Sequence, residues 1–367
     1  MVELQVLSGR TDQYPIYVGA GTLPRLGELC VKAGLGRRAL IVTDRSVASR
    51  YLDTARDSLA RSGFAVEAAV VPDGEEQKSW QTAGKLLDRC VEAKLERTSF
   101  IVALGGGVIG DLAGFVASVY MRGIPFVQVP TTLLAQVDAS VGGKVAVNHP
   151  GGKNLIGSFH QPALVLSDTA LLDTLPDREL AAGMAEVVKH GLIRDPELYA
   201  FVSEAPERFR SRDPEALRRV IVDSCRIKSD IVLRDEKEQG ERAVLNFGHT
   251  IGHAVEAAAG YGRYTHGEAV AIGMVTEALL STKVGRVTAE DIAKLVRVLE
   301  DLGLPTRPEP GVVAHAGEYL MRDKKVREGK LRMALLARIG WAEVTDQIGP
   351  ETALLALERV TAGDYAL

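Results

Sequence analysis

The stretch Ile101-Val102-Ala103-Leu104-Gly105-Gly106-Gly107-Val108-Ile109-Gly110-Asp111 decides the fold class. A short β-rich apolar run ends in three glycines, and a helical pattern follows. On either side the same alternation repeats. Ala39 to Thr43, Ala65 to Val71, Ser99 to Leu104 and Phe126 to Val129 read as strands, and Ser46 to Ser62 and Ser79 to Ala93 as helices. Strands alternating with helices argue for a parallel sheet with helices on its faces. Leu4 to Leu7 and Tyr14 to Val18 add a strand pair at the start.

From about Thr174 the pattern changes. Asp177 to Ile193, Glu197 to Phe209, Pro214 to Arg234, Thr250 to Ala259, Gly267 to Val284 and Ala289 to Leu302 carry helical periodicity. Pro176, Pro196, Pro214 and Pro305 stand where helices should start or stop. Leu331 to Leu336, before Gly340, reads as a late strand or hairpin. The expectation is an α/β domain over residues 1–172 and a mostly α domain over 173–367.

A chain of 367 residues is long enough for about two domains. Its 46% hydrophobic and 25% charged residues are ordinary for a soluble globular protein. A net charge of −4 supplies no field that would draw nucleic acid or an acidic membrane, so any anion site must be local. No run approaches the ~18 apolar residues of a membrane helix, and Met1-Val2-Glu3-Leu4 does not begin a secretory signal. Cys30, Cys90 and Cys225 are odd in number and far apart, which fits reduced, buried thiols in a cytoplasmic protein.

In an open parallel sheet, ligands bind at the carboxyl ends of the strands. Glycines there let backbone approach a diphosphate, and a helix N-terminus favours negative charge. The spacing at Gly105-Gly106-Gly107 is neither GxGxxG nor a Walker A loop, so a plain tight turn competes with a nucleotide loop. Three further strand ends are polar: Thr43-Asp44, Pro72-Asp73-Gly74-Glu75-Glu76-Gln77-Lys78 and Pro130-Thr131-Thr132. Four such ends on one edge resemble a cofactor rim, with Asp44 placed to hold ribose hydroxyls.

Val244-Leu245-Asn246-Phe247-Gly248-His249-Thr250-Ile251-Gly252-His253-Ala254 puts two histidines at i, i+4 on one helix face. It resembles HExxH, but Thr250 replaces the general-base glutamate. Capping or core histidines are the plain alternative. Glu186, His249 and His266 together would suit zinc, leaving an open position for a hydroxy-ketone or diol. His253 would then face substrate, and His190 would be a supporting or merely packed residue. Lys144, Lys153, Lys189, Lys228, Arg242 and Lys324 or Lys325 lie in apolar or glycine-rich segments or near the histidines. Each taken singly reads as a surface cation. Together they suit a small di- or trianionic substrate, with arginine for carboxylate and lysine for phosphate.

At this point the motifs match a family. From roughly Tyr14 to Gly340 the chain resembles the 3-dehydroquinate synthases of the sugar phosphate cyclase superfamily. The resemblance rests on Asp73-Gly74-Glu75-Glu76-Gln77-Lys78, Gly105 to Asp111, Val129-Pro130-Thr131-Thr132-Leu133-Leu134-Ala135-Gln136-Val137-Asp138, Lys153-Asn154-Leu155-Ile156-Gly157, Ala185-Glu186-Val187-Val188-Lys189, Leu245 to Thr250 and Asp323-Lys324-Lys325. It implies an N-terminal Rossmann-like α/β domain, an all-α C-terminal domain and a homodimer. It also implies the conversion of 3-deoxy-D-arabino-heptulosonate 7-phosphate to 3-dehydroquinate and phosphate, a shikimate-pathway step leading to aromatic amino acids. NAD would be used without net consumption, through oxidation at C5, phosphate elimination, re-reduction, ring opening and aldol closure. The C5 ketone acidifies the C6 proton, so elimination requires prior oxidation. The phosphate would serve as its own base.

By the same resemblance Glu186, His249 and His266 would ligate one divalent metal, zinc or cobalt. Lys144, Asn154, Lys189, Lys228, Arg242, Asn246, His253 and Lys324 would hold substrate, with Arg122 reaching across the dimer. The NAD set would be Asp44, Asp73, Gly74, Glu75, Glu76, Gln77, Lys78, Gly106, Gly107, Val108, Gly110, Asp111, Thr131, Thr132, Leu134, Asp138, Lys144, Lys153, Leu171 and Thr174. Ala139 departs from the serine of the family pattern, which removes at most a minor cofactor hydrogen bond. Inosose or valiolone synthases share the loop and the metal triad, and metal-dependent polyol dehydrogenases share the glycine turn. The former differ in substrate contacts. The latter would release NADH.

Overall fold

The computed structural model describes residues 1–8, 12–260, 262–309, 311–322, 326–327 and 330–365. The chain divides into two compact units, Met1–Leu175 with Leu217–Ser229, and Pro176–Ala216 with Asp230–Leu367.

The first unit is built on β1 (Val2–Ser8), β2 (Asp12–Gly19), α1 (Leu26–Lys32), β3 (Arg38–Asp44), α2 (Arg45–Arg61), β4 (Ala65–Val71), α3 (Trp80–Glu92), β5 (Phe100–Gly105), α4 (Gly107–Val119), β6 (Phe126–Pro130), β7 (Lys144–His149), β8 (Gly152–Phe159) and β9 (Leu164–Asp168). A seven-stranded sheet runs in the order β1-β2-β9-β6-β5-β3-β4. Only β1 pairs antiparallel, with β2; the other pairs are parallel. Alternation along the strands explains the two cores. Leu40, Val42, Ile101 and Ala103 pack with Leu86 of α3 and Leu112 of α4. Ala39, Ile41, Phe100, Val102 and Leu104 pack on the opposite face with Leu29 of α1 and Leu59 of α2. β5 is buried along its whole length, as a central parallel strand covered on both faces should be. The strand order reverses between β3 and β5, which makes their carboxyl ends the topological switch point.

The segments around Lys144 and Lys153 differ from expectation. Their glycines suggest loops that close on an anion, whereas β7 and β8 form an antiparallel hairpin. The glycines mark its approaches: Gly142, Gly143 and Gly152 hold φ of 95°, 66° and 156°, values that side-chain-bearing residues rarely adopt.

The second unit contains α5 (Asp177–Arg194), α6 (Pro196–Glu204), α7 (Pro206–Arg210), the ends of α8 (Pro214–Arg234), α9 (His249–Ala259), α10 (His266–Val284), α11 (Ala289–Asp301), α12 (Val312–Arg322), β10 (Val326–Arg327), β11 (Lys330–Arg338), β12 (Trp341–Ile348) and α13 (Pro350–Ala362). It is predominantly helical, with a three-stranded antiparallel sheet, β10-β11-β12, where the sequence suggested a late strand or hairpin. The single helix expected over residues 197–209 is two. Ala205 takes φ −148° and ψ 60° ahead of Pro206, because the proline ring disfavours a helical residue before it. α10 is buried on nearly all sides. It packs against α5, α9, α11, α13 and β11, so the second unit is organised around this one helix.

Candidate active site

The strand ends of the first unit form a continuous polar rim. Asp44, at the end of β3, caps α2: its Oδ1 accepts from the Val47 backbone N–H at 2.9 Å and from the Ser46 hydroxyl at 2.7 Å. Asp73, beyond β4, accepts from the Ser46 backbone N–H at 2.9 Å. That bond comes first in holding the Asp73 carboxyl below its usual range. The two acids are therefore tied to one turn. Glu75, Glu76 and Gln77 form a short 3-10 turn after Gly74. Lys78 is buried, and its ammonium lies 2.5 Å from Asp111 Oδ2. Burial raises the Asp111 carboxyl above its usual value, and Lys78 opposes the shift.

Gly106 caps α4 without a side chain, leaving the first N–H groups of the helix as an anion-binding end. The fold does not require glycine equally along this turn. A Cβ on Gly105 would lie 2.7 Å from Ile109 Cβ, and one on Gly110 2.8 Å from Gln128 Oε1. At Gly107 the nearest atom would be Ala139 Cβ, at 3.5 Å. Val108 follows, half-buried, in the first turn of α4. Packing demands glycine at 105 and leaves space beside 107.

Thr131 donates its backbone N–H to Gly105 O at 3.0 Å, joining the ends of β5 and β6. Thr132 Oγ1 accepts from Ala135 N at 3.2 Å, and half-buried Leu134 precedes a single π-turn, Ala135–Ala139, that carries Asp138. Lys228, on the part of α8 belonging to the first unit, donates to Asp138 O at 2.7 Å and Oδ1 at 2.6 Å. Beyond β9, Thr174 Oγ1 lies 2.5 Å from the Tyr51 hydroxyl, which also donates to Leu171 O at 3.3 Å. Tyr51 gives no sequence signal, because it reads as one more helical aromatic.

Lys144 and Lys153 lie on the hairpin with exposed side chains. Asn154, at φ 57°, donates its backbone N–H to Asn148 Oδ1, while Asn148 Nδ2 donates to Glu75 Oε1 at 2.7 Å. Asn148 thus ties the hairpin to the rim and also escapes a sequence reading. Arg122 is exposed and left-handed at φ 69°, next to Met121 at φ 50°. Two consecutive non-glycine residues there carry strain of the kind found at functional sites.

In the second unit Glu186, on α5, is fully buried. His249 and His266 are the first residues of α9 and α10. Their Nε2 atoms stand 3.6 and 3.5 Å from Glu186 Oε1, and one ligand-type atom from each of the three residues lies within 4.8 Å of the others. Glu186 Oε1 faces the two imidazoles at ion-pair distance, and the Lys189 ammonium touches Oε2. Burial opposes ionisation of Glu186, yet Lys189 and the two imidazoles outweigh it and hold the carboxyl well below its usual range. Burial first, then the Lys189 charge, pushes His249 well below the usual histidine value. An ionised glutamate beside a neutral imidazole is the protonation state that binds metal.

Close backbone approaches assemble this cluster. A Cβ on Gly267 would lie 2.1 Å from Ala182 O, so α10 meets α5 beside the histidine end. Thr265 and Glu268 form a capping box at the start of α10, and Glu268 binds Arg178 at 2.7 and 2.6 Å. Glu268, part of the His266-Gly267-Glu268 motif, is a clamp on the helix start. His253 is exposed, with its ring 6.1 Å from that of His266, and His190 is buried on α5. Arg242 is buried, donating to Glu236 O at 2.5 Å, and Asn246 Nδ2 donates to Glu238 Oε1 at 2.9 Å. Asp323, Lys324 and Lys325 lie outside the described residues. No described helix is long and apolar enough to cross a membrane.

Family models of the 3-dehydroquinate synthase N-terminal and C-terminal regions match residues 68–182 and 183–326. A 3-dehydroquinate synthase of Pelotomaculum thermopropionicum is 51% identical over 356 residues, covering 95% of this chain and 94% of that protein. Among solved structures, a 2-deoxy-scyllo-inosose synthase complexed with carbaglucose-6-phosphate, NAD+ and Co2+ superposes with a TM-score of 0.87 at 27% identity, covering 98% of this chain and 99% of that one. A 2-epi-5-epi-valiolone synthase of Streptomyces hygroscopicus with NAD+ and Zn2+ bound gives 0.87 at 29%, covering 98% and 100%.

Proposed function

The chain belongs to the 3-dehydroquinate synthase family, and from that premise we propose how its residues share the work of the reaction. The enzyme converts 3-deoxy-D-arabino-heptulosonate 7-phosphate to 3-dehydroquinate and phosphate, with NAD and one divalent metal, zinc or cobalt, as cofactors. The observation that carries the metal assignment is the buried Glu186 carboxylate with two imidazole nitrogens 3.5 and 3.6 Å away. An ion there would be held by Glu186 Oε1 together with the two imidazole nitrogens that face it.

Glu186, His249 and His266 would hold the metal, which when bound supplies Lewis acidity to a substrate oxygen. Lys189 keeps Glu186 ionised and brings a second cationic group to the same place. Arg242 suits the substrate carboxylate, while Lys144, Lys228, Lys324 and Arg122 suit phosphate. Asn154, Asn246 and His253 would orient hydroxyls. Because the departing phosphate carries its own base, these groups need only bind and orient the anion.

The polar rim, from Asp44 through Lys78, Gly107, Asp111 and Thr131 to Thr174, would hold NAD, whose nicotinamide supplies the hydride acceptor and donor. Space beside Gly107 and the capless start of α4 support diphosphate binding there. In this reading residues 1–172 form the NAD-binding domain and residues 173–367 the metal- and substrate-binding domain. By the family resemblance the protein would be a homodimer, in which the exposed Arg122 would serve the neighbouring subunit. The cysteines, all free and buried, support a cytoplasmic location.

A substrate panel tests the reading. The zinc-loaded protein with NAD+ is expected to release phosphate from the heptulosonate phosphate, and to leave glucose 6-phosphate and sedoheptulose 7-phosphate untouched. Turnover of either of the latter two, and not the first, would reassign it to another cyclase.

A further inference from the structure

α10 contains a charged residue that the reaction does not use. Glu277 is completely buried in the middle of the helix, among apolar neighbours. Burying a carboxylate is costly unless it is hydrogen-bonded, so its partners indicate its purpose. Glu277 Oε2 accepts from the Gly248 backbone N–H at 2.6 Å, and Oε1 accepts from Ile251 N–H at 3.1 Å.

Those two N–H groups belong to the start of α9. Gly248 is the residue preceding His249, at φ 81°, and offers no capping side chain. Nor could it acquire one. A Cβ there would lie 2.6 Å from Met274 Cγ and 2.9 Å from Val270 O. Close packing against α10 has removed the local cap, and α10 returns an acceptor in its place. Gly273 permits this approach, since a Cβ on it would lie 1.9 Å from Gly248 O. Glu277 follows Gly273 by four residues and so stands on the same face of α10. A carboxylate at a helix N-terminus also complements the helix dipole.

His266 begins α10, eleven residues before Glu277, while His249 begins α9 immediately after Gly248. One helix therefore carries one imidazole of the cluster and grips the root of the helix that carries another. We propose that Glu277 is a positioning residue for the metal site: by capping α9 from α10 it fixes His249 relative to His266. The proposal rests on the assignment of Glu186, His249 and His266 as metal ligands.

Chelator competition measures zinc affinity of the purified full chain, and the visible spectrum of its cobalt form reports ligand geometry. Glu277→Gln keeps the shape but presents an NH2 group to one of the two N–H donors. It should weaken zinc binding about tenfold, as loss of a residue that orients metal ligands does, and should alter the cobalt bands. Ser281→Ala is the control. Ser281 Oγ accepts from Leu336 N at 2.9 Å and donates to the Glu277 backbone carbonyl at 2.6 Å, so that variant loses two buried hydrogen bonds on the same helix without touching α9 or the Glu277 carboxylate. It should melt earlier and bind zinc normally. Wild-type zinc affinity and cobalt spectrum in Glu277→Gln would overturn the proposal. So would equal zinc loss in both variants, which would reduce Glu277 to general stability. If Glu277→Gln does not fold, Glu277→Asp, shorter by one methylene and unable to span both N–H groups, is judged by the same outcomes. His266→Ala is measured alongside; wild-type zinc affinity there would instead refute the ligand assignment.

Discussion

The rim of the first unit and the histidine cluster of the second bind through different materials. The rim is made of strand ends and helix starts: Asp44 after β3, Gly105 to Gly107 after β5, Thr131 and Thr132 after β6. Its geometry follows from the sheet, and much of what it offers is backbone. The cluster is made of side chains from three helices, α5, α9 and α10, brought together by glycine contacts and a capping carboxylate. A rim of this kind survives changes in many side chains, while the cluster depends on a few.

His266→Ala should show the largest effect. Removing one of three ligands should lower turnover by roughly a thousandfold, the equivalent of about 4 kcal/mol of lost stabilisation. Full activity in a metal-defined assay would remove His266 from the cluster. A pair of glycine substitutions then sharpens the contrast between the regions. Gly273→Ala places a methyl 1.9 Å from a backbone oxygen, so it should destabilise the fold by about 1–3 kcal/mol or more. Gly107→Ala places a methyl in ordinary contact at 3.5 Å. It should melt like the parent and lose NAD affinity by about tenfold, the effect of about 1.4 kcal/mol. If Gly107→Ala instead unfolds the protein and binds NAD normally when folded, the glycine serves packing, and the rim differs less from the cluster than its geometry indicates.

How much of this was legible in the sequence follows the same division. Strands β3 to β6 could be read because each is a short apolar run ending in turn residues that are contiguous in the chain. Their edge could be read because parallel strands place those ends together. The types and spacing of His249, His253 and His266 also pointed to a cluster, and Glu186 could be added on its chemistry. The hairpin β7–β8 was hidden by glycines that mimic loop composition while serving as its left-handed corners. The break at Ala205 was hidden because helical periodicity continues past Pro206. Glu277 was hidden most completely, since an acid in the middle of a largely apolar helix gives no hint of its partners 26 and 29 residues away. What escaped the sequence in these cases was a long-range contact or a backbone conformation.

Redox balance tests the central claim most directly. The purified protein is given excess heptulosonate phosphate, NAD+ far below the substrate concentration, and zinc, and phosphate, dehydroquinate and NADH are followed together. The account predicts equal amounts of phosphate and dehydroquinate, many turnovers per NAD+, no net NADH, and loss of all turnover after chelation. NADH accumulating in step with product, or undiminished turnover after the metal is removed, would contradict it.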